Sequence, residues 1–381
     1  MRKVLLLLFF FLLFVKPIFA QQPNSTFDQL EQGVPKTDYS RGRVVKILEE
    51  GTKKIAGSQM PFQRLIVKIE IGPDKGKEIE IDQGILSTMK EAQRVRVGEE
   101  VVVSRITNIA GSAQYFITDR YRIPLVVVLL IVFFVLVVYF GRIRGFTSFL
   151  GLIVSIFILL KFVVPQIFAG NDPLLISFLG ALAIAFTSLY LAHGFNKRTT
   201  IALVSTVITL FLSIIIAQLF VYFAKLTGLG NEDAYYLQQS VAQGSFINAK
   251  GLLLGGIIIG ALGVLDDITI GQAASIEELS RANSDLTFHD LYARGLSIGR
   301  EHIASLVNTL VLAYAGASFP IFFLFLMLKD VQPIWVTVNN EFLMEEVVRT
   351  LVGSTTIVLA VPLTTLFAAY IFSRKKIKKS K

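Results

Sequence analysis

Seven long apolar runs constrain this chain more than any other feature: residues 123–140, 146–164, 173–192, 200–224, 252–270, 303–328 and 353–372. Each is long enough to cross a hydrocarbon core of about 30 Å at about 1.5 Å of helix rise per residue. A backbone in lipid must satisfy its own N–H and C=O groups, so such runs become helices. The expected fold class is a polytopic α-helical membrane bundle with seven transmembrane helices. Composition agrees: 53% of the 381 residues are hydrophobic, and the mean hydropathy is +0.63, which is too apolar for an ordinary soluble enzyme.

The basic residues flank the runs. Six of the last eight residues, Arg374 to Lys381, are Lys or Arg. If residues 21–122 lie outside the cytoplasm, the inner loops carry Arg142, Arg144, Lys197, Arg198, Arg281, Arg294 and Arg300. The outer loop 165–172 carries no Lys or Arg, and the outer segments 225–251 and 329–352 offset theirs with acids. This is the positive-inside pattern, with an odd helix count and a basic tail at 373–381 in the cytoplasm. The net charge of +9 therefore reads as orientation at an inner membrane, with the lipid bilayer as partner and no nucleic acid.

Residues 1–20 read as a signal peptide: Arg2 and Lys3, an apolar core from Val4 to Val15, and a small residue at Ala20. Residues 21–122 read as an extracytoplasmic β domain. Arg43–Leu48, Arg64–Ile71, Lys77–Ile81, Val101–Ile106 and Gln114–Thr118 are short, β-branched segments, and Gly72-Pro73-Asp74-Lys75-Gly76 is a turn. Five strands in so short a stretch suit a small OB-like barrel, serving as a spacer or as a docking module for an envelope partner or a second copy of the chain.

Asp266 and Asp267 lie near the end of the fifth run, where hydrocarbon is expected. An Asp at the centre of a spanning helix costs roughly 2.5–3.5 kcal/mol on insertion scales, so such residues mark ion or proton pathways. Thr269 and Gln272 follow on the same segment. Helix rise puts Asn308 and Thr309 of the sixth run, Thr206 of the fourth and Thr187 of the third near the same level, with Arg300, Glu301 and His302 close by. Three readings of the two acids stay open: a structural pair neutralised by Arg300, a cation or proton site, or a polar cap at the interface. Adjacent helical residues point about 100° apart, so only one acid can face the bundle.

There is no Cys, and only three His (His193, His289, His302). That excludes disulfides, thiolate chemistry and Cys-based metal sites. No nucleotide-binding loop, serine elbow or zinc-protease motif is visible, so neither an enzyme nor a cofactor is expected. The sequence leaves the identity of any metal open.

Gly260-Ala-Leu-Gly-Val-Leu-Asp-Asp-Ile-Thr-Ile-Gly-Gln-Ala-Ala-Ser-Ile-Glu-Glu-Leu279 and the stretch from Ser297 to Pro320 resemble the YibE/F family of bacterial multi-spanning membrane proteins. The resemblance covers roughly residues 120–372. Its pattern matches here at Asp267, Glu278, Gly299, Arg300, Asn308, Thr309, Tyr314 and Gly316. It varies at the position of Asp266, and Glu301 stands where an Asp is common, so the resemblance singles out Asp267 as the bundle-facing acid. It implies a bacterial envelope protein of the kind loosely called a permease. The expected function is a secondary transporter of a small solute, proton- or cation-coupled through the intramembrane acids. The alternative is a non-transporting envelope protein whose β domain docks a partner.

Overall fold

A computed structural model describes residues 37–55, 58–84, 89–107, 113–241 and 247–373. The expected signal peptide and the basic tail beyond Ser373 lie outside the described residues. The chain divides between Val135 and Leu136 into two compact units.

The first unit is built on a five-stranded antiparallel sheet: β1 (Thr37–Ile55), β2 (Ser58–Ile71), β3 (Glu78–Gln83), β4 (Glu100–Thr107) and β5 (Ala113–Arg120), in the order β3-β2-β1-β4-β5. The edge strands β3 and β5 come within 8 Å of each other, Cα to Cα. Register shifts at Arg41/Gly42, Val44/Lys46 and Ile47/Glu49 let β1 bend. Alternation selects the core, so Leu65, Val67 and Ile69 of β2 pack with Val101 and Val103 of β4. Gln63 is buried there and satisfied: its Oε1 accepts from the Val95 N–H at 2.9 Å, and its Nε2 donates to the Val95 carbonyl at 3.1 Å.

The sequence-predicted turn joins β2 to β3, with Gly72 (φ 124°) and Gly76 (φ 87°) in the left-handed region. Between them, buried Asp74 accepts from Lys77 at 2.7 Å, Arg105 at 3.1 Å and Tyr115 at 3.0 Å, tying the turn to β4 and β5.

The helices follow: α1 (Ile123–Ile158), α2 (Val164–Phe168), α3 (Pro173–His193), α4 (Lys197–Phe223), α5 (Glu232–Val241), α6 (Ala249–Ala282), α7 (Phe288–Ala317), α8 (Phe319–Leu328), α9 (Ile334–Val338) and α10 (Glu341–Ser373). Among the described residues, five helical stretches are long and apolar enough to cross a membrane: Ile123–Phe168, α3, α4, α6 and α10. The first two apolar runs share the stretch Ile123–Phe168, which breaks at Arg142 (φ 53°, ψ −136°). Past the break, a Cβ on Gly145 would lie 2.1 Å from the carbonyl oxygen of Val137. Residues that far apart on a continuous helix are about 12 Å apart, so the chain doubles back at Arg142. The sixth run is divided between α7 and α8 at Ser318, which precedes Pro320.

Close contacts fix helix directions. Pro173 meets Gly251, Ser177 meets Gly255 and Ser188 meets Asp266, each pair 78 residues apart, so α3 and α6 run parallel. Arg349 against Gly256 and Thr365 against Gln272 make α10 parallel to α6 as well. α7 runs against α6, touching it at Gly299/Gln272 and again at Tyr314/Gly260. Val163 on Gly180 and Ser188 near Gly151 likewise set residues 151–163 antiparallel to α3.

Candidate functional site

Helix α6 is the centre of the second unit, packed by α3, α4, α7 and α10. Its buried stripe runs Ile258, Leu262, Leu265, Thr269, Gln272, Ile276, a helical spacing of three and four. Asp266, Thr269 and Gln272 are three residues apart, so each step turns about 60° around the axis. The three side chains therefore address different neighbours. Ser188 of α3 donates its hydroxyl hydrogen bond to Oδ2 of Asp266. The hydroxyls of Thr206 on α4 and Thr269 are 2.9 Å apart. The Gln272 amide donates to Thr365 of α10 at 2.8 Å and to the Gly295 carbonyl of α7 at 2.7 Å.

Asp266, not Asp267, is the acid enclosed by the helices. It is half-buried, and its Oδ1 is out of contact with solvent and has no hydrogen-bond partner. Asp267 is exposed. The assignment of Asp267 to the bundle interior is thus corrected, and helix geometry supplies the reason. Relative to Leu265 at the centre of the buried stripe, Asp266 lies about 100° round and flanks α3, while Asp267 lies about 200° round and faces away. It shares that open face with Gly263 and Gly271, where a Cβ would meet nothing within 4 Å.

The predicted residues of α7 do not converge on the acids. Arg300, Glu301, Asn308 and Thr309 are exposed, and His302 is half-buried. Thr309 donates to the Ser305 carbonyl of its own helix at 2.9 Å. No ion pair among the described residues joins Arg300 to either acid, so the neutralised-pair reading falls. α7 turns Gly295 and Gly299 to its neighbours, and Asn308, nine residues past Gly299, points about 180° away. Glu278 is exposed and faces Arg281 at 3.4 Å. Tyr314 does reach α6, its hydroxyl 3.3 Å from where a Gly260 Cβ would sit.

Sequence reasoning missed two groups. Ser188 is an ordinary small residue in an apolar run, and only packing reveals it as the partner of Asp266. Glu345 and Glu346 read as an outer loop, but α10 extends back through them. Glu345 is buried and accepts the Gly230 N–H at 3.1 Å, and Glu346 faces Arg349 at 3.5 Å. Among the described residues, Asp, Glu and His do not gather in a group of three able to hold a metal ion.

The layer can therefore bind and polarise. It presents one carboxylate oxygen held by a hydroxyl, a second that is buried without a partner, and amide and hydroxyl groups bridging four helices. Neither a curated protein nor a solved structure matches the chain. The family model described as YibE/F-like protein matches residues 129–374, more than half of the chain and the whole of this helical layer. The chain is a membrane-type protein belonging to the YibE/F-like family.

Proposed function

We propose that the protein is a multi-spanning permease that moves a small solute with a proton or cation taken up at Asp266. The observation that carries this reading is the Asp266 carboxylate: it lies among apolar helices, Ser188 binds one oxygen, and the other is buried without a partner. An acid in such surroundings holds a proton or a counter-ion, and exchanging it across a transport cycle is the use to which membrane proteins put buried acids. Gln272 Oε1, also buried without a partner, offers the solute a hydrogen-bond acceptor on the same helix.

The finer topology belongs to this proposal. Seven segments cross the membrane, counting residues 123–141, residues 143–168 and α7 as separate spans. The reversal at Arg142 and the alternating helix directions support that count. The β domain lies outside an inner membrane and the basic tail inside. The strand order of the β domain, with β3 and β5 drawn together, supports the OB-like reading.

The test uses protein reconstituted in liposomes with a trapped pH indicator and an imposed proton or sodium gradient. Wild type is expected to dissipate the gradient, Asp266→Asn to do so at least tenfold more slowly, and Asp267→Asn to stay within about twofold of wild type. Equal rates for wild type and Asp266→Asn would sink the proposal. The docking alternative draws support from the separate core of the β domain. It predicts that removing residues 41–119 abolishes function, and gradient dissipation that survives the deletion counts against it.

A further inference from the structure

We propose that a groove between the start of α4 and the end of α10 binds an anionic phospholipid, its headgroup at Lys197 and one acyl chain along Val204, Phe367 and Ile371. The groove has a volume of about 490 Å³, inside the usual range of ligand sites, roughly 300–1,000 Å³. Its lining divides by chemistry along its length. Val204, Phe367 and Ile371 form an apolar wall, with Val204 44% and Ile371 37% exposed. The mouth holds Phe195, Asn196 and Lys197. Phe195 is stacked on Tyr190 with ring centroids 4.2 Å apart, which fixes an exposed aromatic ring at the rim.

Charge selects the occupant. Lys197 is exposed, and no ion pair of the described residues includes it. The next residue, Arg198, is already turned to Glu277 at 3.9 Å. Lys197 also opens a 27-residue helix, whose first turn adds partial positive charge. Three residues beyond Ile371 the sequence enters the segment 374–381, with six Lys or Arg among eight residues. An acidic headgroup meets complementary charge at Lys197 and the start of its helix. The tail itself is a poor occupant, because it would bring more positive charge to Lys197. A zwitterionic lipid could cover the apolar wall and offer its phosphate to Lys197, but its ammonium group leaves no net negative charge to offset the lysine. The groove is formed by residues other than Asp266 and its partners, so the inference does not depend on transport.

Native mass spectrometry of the detergent-solubilised full chain, titrated with phosphatidylglycerol or phosphatidylcholine, tests this. Wild type is expected to retain one phosphatidylglycerol about fivefold more tightly than phosphatidylcholine, the gain of one lysine facing an anionic group. Lys197→Gln, a surface change that leaves the fold alone, should equalise the two lipids. Val204→Trp should fill the wall and weaken both. A chain lacking residues 374–381 should keep the preference that depends on Lys197. Equal retention by wild type overturns the proposal. So does a preference that survives Lys197→Gln and disappears with the tail, since surface attraction alone would then explain it.

Discussion

The two adjacent acids differ by one residue and by most of their surroundings. Asp266 flanks a buried stripe, and its partner Ser188 comes from a helix 78 residues earlier. Ser188→Ala removes the donor to a buried carboxylate, so the helical unit should lose about 1–3 kcal/mol. That loss would be read as a lowered midpoint of thermal unfolding in detergent, and an unchanged midpoint would mean the bond contributes nothing. The β domain offers a second residue-scale test. Lys77, hydrogen-bonded to Asp74 with Tyr115 and Arg105 on its other oxygen, holds that carboxyl below the usual range. A carboxyl lowered on folding adds stability that is complete above its unfolded value, near pH 4, and is lost as pH falls through the folded value. Lys77 is 68% exposed, so solvent screening keeps the effect small. Relative to the intrinsic exchange rate at each pH, protection of the β5 amides should fall as pH drops below about 4, and Asp74→Asn should be less protected already at neutral pH and lack that acid step.

At the scale of elements, glycines report where helices touch. A Cβ on Gly299 would lie 2.2 Å from Cγ1 of Val361 and 3.2 Å from the Gln272 amide. Gly299→Leu should therefore push α7 off α10 and cost about 1–3 kcal/mol. Gly263→Ala and Gly271→Ala, on the open face of α6, should be neutral or slightly stabilising, since alanine favours helix by about 1 kcal/mol over glycine. Comparing unfolding midpoints of the three variants checks this, and a large loss at Gly263 would mean that another surface covers that face. The helix stripe was legible in the sequence: Ile258, Leu262, Leu265, Ile276 mark one side and Gly260, Gly263, Gly271 the other. Reading that wheel would have turned Asp267 outward, whereas the family resemblance pointed to it. Illegible was the partner of each polar residue. Asn308 and Thr309 stand at a suitable depth, but rise along an axis says nothing about rotation around it.

For the whole molecule, alternating helix directions and the distribution of Lys and Arg make one argument about topology. The chain has no Cys, so single introduced cysteines are clean probes. Lys53→Cys in β1 should react with a membrane-impermeant maleimide added to intact cells, and Lys375→Cys should react only after lysis. Labelling of both from one side would require an even number of crossings and would remove α7 or the reversal at Arg142 from the set of spans. That reversal was anticipated by the gap between the first two apolar runs. The division of the sixth run at Ser318 was not, because Phe319–Leu328 is as apolar as a span and hydropathy outweighed the one local sign of a break, Pro320.

By itself the sequence determined the β strands, the glycine-framed turn, the apolar segments and their order. Hydrogen-bonding demand and burial act on local patterns of period two and period three to four, and these are written along the chain. Tertiary structure alone decided that Ser188 binds the enclosed acid, and that Gln272 ties three helices together while Arg300 stays outside. Those outcomes depend on how helices rotate against distant neighbours, and rotation is set by packing between segments tens of residues apart.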